Sequence, residues 1–140
     1  MLVREGQFDQ AIAFATKEIA LDANDVGPLT NRGTAYDAKG QYNLAIQDFD
    51  QALLQDPKNV STLTDRCAAN VHRHEFYLAI NDCDKAIQID PNSAPPLVNR
   101  GIAYASIRKY VQARLDIQEA MRLNPARAKE WSGILATFPR

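Results

Sequence analysis

The chain has 140 residues, 46% of them hydrophobic and 24% charged, which is enough apolar content for a folded protein. Sixteen lysines and arginines against seventeen aspartates and glutamates give a formal net charge of -1, so the basic footprint of a nucleic-acid binder is missing. No apolar run reaches the length of a membrane span, and two cysteines are too few for a disulfide framework. Charge and cysteine count favour a cytoplasmic protein.

A step of 34 residues organises the whole sequence. A fixed period of this size indicates repeated supersecondary units, each of which buries its apolar face against its neighbours. The predicted product is an elongated solenoid with a long inner surface, which favours binding over catalysis. The columns that keep the step are Gly33, Cys67 and Gly101; Ala45, Ala79 and Ala113; Ala52, Ala86 and Ala120; and Pro57, Pro91 and Pro125.

Residues 1–25 form an incomplete unit in this register. Gly6 falls in the column of Gly40, which predicts a turn there and a second helix from about Phe8 to Leu21. Met1 then lies in the last turn of a first helix. We expect the apolar residues of the second helix to be exposed, which marks an interaction surface, and we expect this end to belong to a longer sequence or to be covered by another chain. These residues are Phe8, Ile12 and Ile19.

Residues 26–59 predict a helical hairpin. Apolar residues spaced three and four apart from Pro28 to Tyr36 indicate one helix face. Gly40 marks a turn, and a second run from Tyr42 to Leu53 stops at Asp56-Pro57, because the residue before a proline disfavours helix.

Residues 60–93 and 94–127 repeat this hairpin. The middle unit departs from the pattern, with Cys67 in the glycine column, Asn70 in the tyrosine column and His74 at the turn. Small residues on both helices are expected to let the two backbones approach closely.

Residues 128–140 predict a final capping helix that shields the last unit and ends at Pro139. Trp131 falls in the leucine column and is expected in the core. Bulky Leu135 stands in the column of Gly101, so no further hairpin is expected to dock on this helix.

These columns resemble the tetratricopeptide-repeat family. The resemblance covers almost the whole chain and implies an all-α, right-handed α-α superhelix of about 3.5 repeats plus the capping helix. It also implies a non-catalytic protein-interaction module in which the first helix of each hairpin lines the concave side. The stretch at residues 28–59 carries the marks Leu29, Gly33, Tyr36, Gly40, Tyr42, Ala45, Ala52 and Pro57.

Two charged columns run through the repeats, sixteen residues apart within each hairpin. We predict an ion pair inside every unit, because the planar arginine fork meets a carboxylate with two hydrogen bonds. The functional alternative is a stack of arginines that reads phosphate or acidic groups. The columns are Arg32, Arg66 and Arg100, and Asp48, Asp82 and Asp116.

The concave surface that the resemblance implies is neutral, small and increasingly apolar toward the C-terminus. It is expected to bind a neutral or apolar peptide or helix of another protein. One family subgroup grips acidic chaperone tails with lysine, asparagine and arginine, but Thr30, Thr34, Asp65, Pro95 and Asn99 stand at the matching positions and do not fit. The predicted groove residues are Thr30, Asn31, Thr34, Asp37, Ser61, Thr64, Asp65, Ala68, Val71, His72, Val98, Asn99, Ile102 and Ala105.

Catalytic and metal sites have weak support. Cys67, His72 and His74 match no closed zinc signature, and Cys67 occupies a packing position where burial and inertness are expected. Cys67 and Cys83 are either buried free thiols, which is the ordinary expectation, or a disulfide in an oxidising compartment. No phosphate loop or nucleophile elbow occurs, so neither an enzyme nor a cofactor is predicted.

The sequence therefore predicts a single solenoid with three whole repeats, at 26–59, 60–93 and 94–127. Its predicted function is recognition of another protein through the concave groove. The alternative is a self-associating scaffold, a homo-oligomer that assembles through the open N-terminal half-repeat.

Overall fold

The computed structural model describes residues 2–140, and side chains from Arg4 onward. These residues form α-helices without a strand, in an all-α superhelix of helical hairpins. Met1, which was predicted to lie in a first helix, falls outside the described residues. The helices are α1 (Leu2–Leu21), α2 (Val26–Ala38), α3 (Tyr42–Gln55), α4 (Val60–His72), α5 (Phe76–Ile89), α6 (Ala94–Ser106), α7 (Tyr110–Leu123) and α8 (Ala128–Leu135), with a 3-10 turn at Pro125–Arg127.

Local chemistry sets where the hairpins begin and turn. The side chains of Asp25 and Asn59 accept hydrogen bonds from the first free backbone N–H groups of α2 and α4. Each hairpin turns at the same column, where the backbone enters the left-handed region with φ of 79° at Gly40, 63° at His74 and 64° at Arg108. Glycine adopts this conformation without strain, whereas histidine and arginine do so at a cost.

The order of helix contacts gives the stack its curvature. α2 contacts α4 and α4 contacts α6, whereas the second helices of neighbouring hairpins contact one another at most marginally. First helices that touch along one side and second helices that diverge along the other place α2, α4 and α6 on the inner surface. This arrangement agrees with the concave row of first helices that the resemblance implied.

Small residues meet large ones where the two helices of a hairpin cross. A Cβ added at Gly33 would lie 2.5 Å from the ring of Phe49, and one at Gly101 would lie 2.8 Å from the side chain of Ile117. The alanines of the columns at positions 45, 79 and 113 are fully buried. Close backbone approach therefore depends on the small columns, as the sequence predicted.

The middle hairpin replaces this glycine-and-large pair with a covalent one. Cys67 and Cys83 form a disulfide, their Cα atoms 5.7 Å apart and both side chains fully buried. The expectation of free thiols is wrong, and the alternative of a bridge describes the structure. The two cysteines are of intermediate size and stand in columns that face each other, so their sulfur atoms meet. At this place the other two hairpins pack a phenylalanine ring or an isoleucine against a glycine.

The N-terminal helix differs from its prediction. α1 runs without a break through Gly6, so the predicted turn is absent. The turn at Gly40 follows a first helix that packs against α3, and without such a partner the segment gains more from continuous backbone hydrogen bonds. Phe8, Ile12 and Ile19 are half-buried rather than exposed, because α1 packs against α2.

The C-terminal helix is shorter than predicted. α8 ends at Leu135, and the chain beyond it folds back so that the Pro139 carbonyl accepts a hydrogen bond from Arg114. Trp131 is 3% exposed and joins the core with Leu97 and Ile117, as expected. None of the helices in residues 2–140 combines the length and the apolar character that a membrane span requires.

Candidate binding groove

The predicted arginine and aspartate columns form the same two-bond ion pair in every whole hairpin. In the middle hairpin, Arg66 donates from Nε and Nη2 to the two oxygens of Asp82 at 2.9 and 2.6 Å. The aspartates of all three pairs are buried, each at most 6% exposed. The equivalent pairs, with distances of 2.7–2.8 Å, are Arg32–Asp48 and Arg100–Asp116.

A further arm of Arg66 and of Arg100 reaches the preceding hairpin. Nη1 of Arg66 donates to Asp50 at 2.9 Å, and Nη1 of Arg100 donates to Asp84 at 3.0 Å. Hydrogen bonds to the paired aspartate raise the pKa of both guanidinium groups against the opposing effect of burial. Because their donors are engaged within the protein, the arginines are not free to read phosphate, and that alternative is wrong.

Hydrogen bonds between α2 and α4 occupy much of the N-terminal half of the groove. The hydroxyls of Thr30 and Thr62 lie 2.8 Å apart. Thr34 donates to Asp65 at 3.3 Å. His72 and Asp37 follow one turn further on, with 2.8 Å between Nδ1 and Oδ1. Among the other predicted groove residues here, Asn31 and Ser61 are exposed to solvent.

Asp65 is the most electrostatically perturbed residue of the groove. Burial, the largest effect, raises the pKa of its carboxyl from 3.8 to about 6, with a smaller contribution from the charge of Asp37. The hydrogen bond from Thr34 acts in the opposite direction. Asp37 and Asp65 place two carboxyl groups at this end of the inner surface, and burial makes that of Asp65 the harder to ionise.

Replacing Asp65 with asparagine is expected to stabilise the chain at neutral pH. The folded state holds the Asp65 proton more tightly than the unfolded state, because the folded pKa is about 6 and the ordinary value is 3.8. Wild-type stability therefore falls as the pH rises from 4 through 6, and the variant escapes this loss. The gain is about 1–2 kcal/mol at pH 7.5, reduced by partial exposure, and vanishes below about pH 4. Urea unfolding at both pH values measures it; equal stabilities at pH 7.5 would contradict it.

The C-terminal half of the groove is apolar. Ala68, Val71, Ile102 and Ala105 are half-buried and reach the inner surface, with Asn99 also half-buried beside them. A cleft of about 290 Å³ opens between α6 and α8. It is lined by Ile102, Ala105, Ser106, Tyr110, Ile134, Thr137 and Phe138.

Two predicted groove residues do not belong to the open surface. Thr64 is 8% exposed, and its hydroxyl donates to the carbonyl of Val60 at 2.7 Å. Val98 is also 8% exposed and packs in the core cluster that contains Trp131. Both residues are turned inward because α4 and α6 each contact the first helix of a neighbouring repeat as well as their own partner.

The sequence prediction missed residues at both ends of the inner surface. A second cleft, of about 380 Å³, brings α1 together with α2 and α4. Phe14 and Glu18 line it beside Thr30 and Asp65. Extending the 34-residue register outward to α1 and α8 was the signal that could have identified them.

The outer side carries a further cleft, of about 460 Å³, between α3 and α5. Asp50 and Arg66 of the ion-pair network line it, together with Leu54 and Lys85. We place the candidate site on the inner side, because the outer cleft is a gap between diverging helices across which Arg66 already bonds Asp50. Within residues 2–140 no group of metal-binding side chains converges.

Comparison with known proteins matches this architecture. Residues 28–59 match the sequence model of the tetratricopeptide repeat. No curated protein matches the chain. The crystal structure of MamA superposes with a TM-score of 0.80 at 25% identity, over 93% of this chain and 77% of MamA. The Arabidopsis OM64 TPR domain gives 0.73 at 27% identity, over 79% and 93% of the two chains.

A further neighbour was solved with a ligand. The first TPR of Spaghetti (RPAP3), bound to the HSP90 peptide SRMEEVD, gives a TM-score of 0.70 at 24% identity, over 83% of this chain and 97% of that one. This likeness concerns the fold. The matched repeat at residues 28–59, its recurrence at the same 34-residue step and the shared superhelix confirm the predicted resemblance to the tetratricopeptide-repeat family.

Proposed function

We propose that the chain binds a peptide or helix of a partner protein in the groove formed by α2, α4 and α6. Tetratricopeptide repeats serve as protein-interaction scaffolds, and the neighbour bound to a peptide illustrates this use. The observation that supports the proposal most directly is the open apolar cleft at Ile102 and Ala105 on the inner side of the stack. Small side chains there leave room for the side chains of a guest.

The chemistry of the groove favours a neutral or apolar partner. Ile102, Ala105 and Ala68 offer apolar contact area at the C-terminal half. At the N-terminal half Asp37 and Asp65 present carboxylates, and a partner carboxylate near them would be repelled. An acidic chaperone tail needs cationic side chains at positions where this chain has Thr30, Thr34 and Asp65. We therefore infer that tails of that kind are not its ligands.

We also infer that the chain acts by binding rather than by catalysis. The sulfur of Cys67 is bonded to Cys83 and is buried, so this position offers no free thiol as a nucleophile. His74 stands at the turn outside the groove. The cytoplasmic location, which was argued in part from the cysteine count, stays a prediction.

Selection from a displayed library of random peptides tests the groove. Peptides enriched on the wild-type chain are expected to be apolar and poor in acidic residues. Replacing Ile102 with aspartate should weaken their binding by roughly tenfold or more, because it places a charge in the apolar cleft. Leu54→Asp is the matched control, since Leu54 is 74% exposed and lines the outer cleft. Equal losses in both variants, or a loss confined to Leu54→Asp, would place the site elsewhere.

A further inference from the structure

One face of α1 is uncovered. In each whole hairpin, the first helix covers the equivalent face of the second helix. Ala11 stands in the column of Ala45, Ala79 and Ala113, which are fully buried beneath a first helix, but Ala11 is exposed. Phe14, one turn further on, is 66% exposed. Both residues line the 380 Å³ cleft beside α2. Along the described part of the chain, no helix fills this cleft.

One face of α8 also carries apolar residues. Ile134, Leu135 and Phe138 pack at the edge of the core cluster but remain partly exposed. By register α8 is a first helix, and no second helix in residues 2–140 packs on it as α7 packs on α6.

The two open faces are complementary at the ion-pair column. Inside each whole hairpin an arginine of the first helix meets an aspartate of the second. At the ends both partners are replaced by apolar residues. Ile134 stands in the arginine column and Phe14 in the aspartate column. A charge on either face would be unpaired, whereas the two apolar side chains fit each other.

The faces are complementary in size as well. Whole hairpins pair a small residue of the first helix with a large one of the second, as in Gly33 with Phe49. At the ends the order is reversed, with Leu135 in the glycine column and Ala15 in the column of Phe49. Leu135 would clash with an ordinary second helix. Ala15, the small residue opposite it in this register, lines the cleft on α1 but is only 3% exposed, because α2 already packs against α1.

Charges support the same orientation. Helices of a hairpin run antiparallel, so the start of α8 would lie near the end of α1. Arg127, Lys129 and Glu130 stand at the start of α8, where Arg127 already pairs with Glu130, and Lys17, Glu18 and Asp22 stand at the end of α1. Lys129 is therefore the basic residue left to face Glu18 and Asp22. Opposite charges at the rim of an interface fix its register and accelerate association.

We propose that α8 of one copy docks on α1 of a second copy, in the register of first helix on second helix within a hairpin. The docked α8 then lies beside α2 as α2 lies beside α4. Because different surfaces meet, the contact is head-to-tail and repeats from copy to copy. The docked α8 would fill the N-terminal cleft of the inner surface, and its Ile134 and Phe138 also line the C-terminal cleft, so this association and peptide binding in the groove use overlapping surfaces.

Sedimentation velocity of the intact chain over a hundredfold concentration range, from about 5 to about 500 µM, tests the association. We expect the average mass to rise with concentration. Phe14→Asp should raise the concentration needed for association by roughly tenfold or more, and Leu54→Asp should leave it unchanged. A monomer throughout the range, or equal losses in both variants, would overturn the proposal.

A paired substitution tests the register itself. Phe14→Asp and Ile134→Arg should each weaken association alone. The double variant should recover it, because it installs at the junction the ion pair that the three whole hairpins already use. Circular dichroism and Trp131 fluorescence verify that α8 stays folded. Failure of the folded double variant to recover, or full association of Phe14→Asp alone, would overturn the register.

Discussion

Replacing Asp82 with alanine is expected to destabilise the chain by about 3–5 kcal/mol, because it leaves the arginine of a largely buried pair without its main partner. Asp82 is 2% exposed and accepts from Nε and Nη2 of Arg66 and from the amide of Asn70. The remaining bond from Arg66 to the half-exposed Asp50 compensates little. The free energy of unfolding in urea measures the effect.

The chain offers a matched control for this substitution. Asp84→Ala removes a carboxylate that also bonds an arginine, Arg100, but its side chain is 51% exposed. We expect it to cost no more than about 1 kcal/mol. Replacing Arg66 and Asp82 together by methionine and leucine should recover much of the loss, because no charge is then left buried. A cost of Asp82→Ala no larger than that of Asp84→Ala would show that the buried pair does not hold the hairpin.

Reduction of the Cys67–Cys83 disulfide is expected to cost about 3 kcal/mol, the loss for freeing a loop of about fifteen residues in the unfolded chain. The two cysteines are sixteen residues apart, one on each helix of the middle hairpin. This hairpin also has Asn70 where the others have tyrosine, so it has less apolar packing to offset the loss. Urea unfolding with and without a reducing agent measures the difference.

A second variant places the residues of the first hairpin at the two cysteine positions. It separates the contribution of the disulfide to stability from that of side-chain packing. Cys67→Gly with Cys83→Phe recreates the contact of Gly33 with Phe49. We expect its stability to be the same with and without reductant, and to exceed that of the reduced wild type. If the wild type is equally stable in both conditions, or if its thiols react in the folded protein without reductant, the bridge does not stabilise this hairpin.

Regular features were predictable because they repeat. The 34-residue columns predicted the hairpins, and the sixteen-residue separation predicted all three pairs such as Arg66–Asp82. The third arm of that arginine, to Asp50, was not predicted. Its signal existed, since Asp50 and Asp84 are also 34 residues apart, but the partner lies on the preceding hairpin. Only stacking brings the two together.

The sequence predicted the position of the groove better than it predicted which residues line it. Ile102 and Ala105 reach the inner surface, whereas Thr64 and Val98 are buried. Helix periodicity assigns a residue to a face. It does not say how far a neighbouring first helix covers that face, so the boundary between groove and core could not be drawn from spacing alone.

The amino-acid sequence by itself determined the repeat length, the hairpins, their ion pairs and the small columns at which helices cross, because these depend on residues close together in a regular register. The tertiary structure decided the disulfide, the raised pKa of Asp65, the unbroken course of α1 and the exposure of Phe14. Each of these depends on which side chains neighbouring helices cover, and burial of this kind is set by the whole stack.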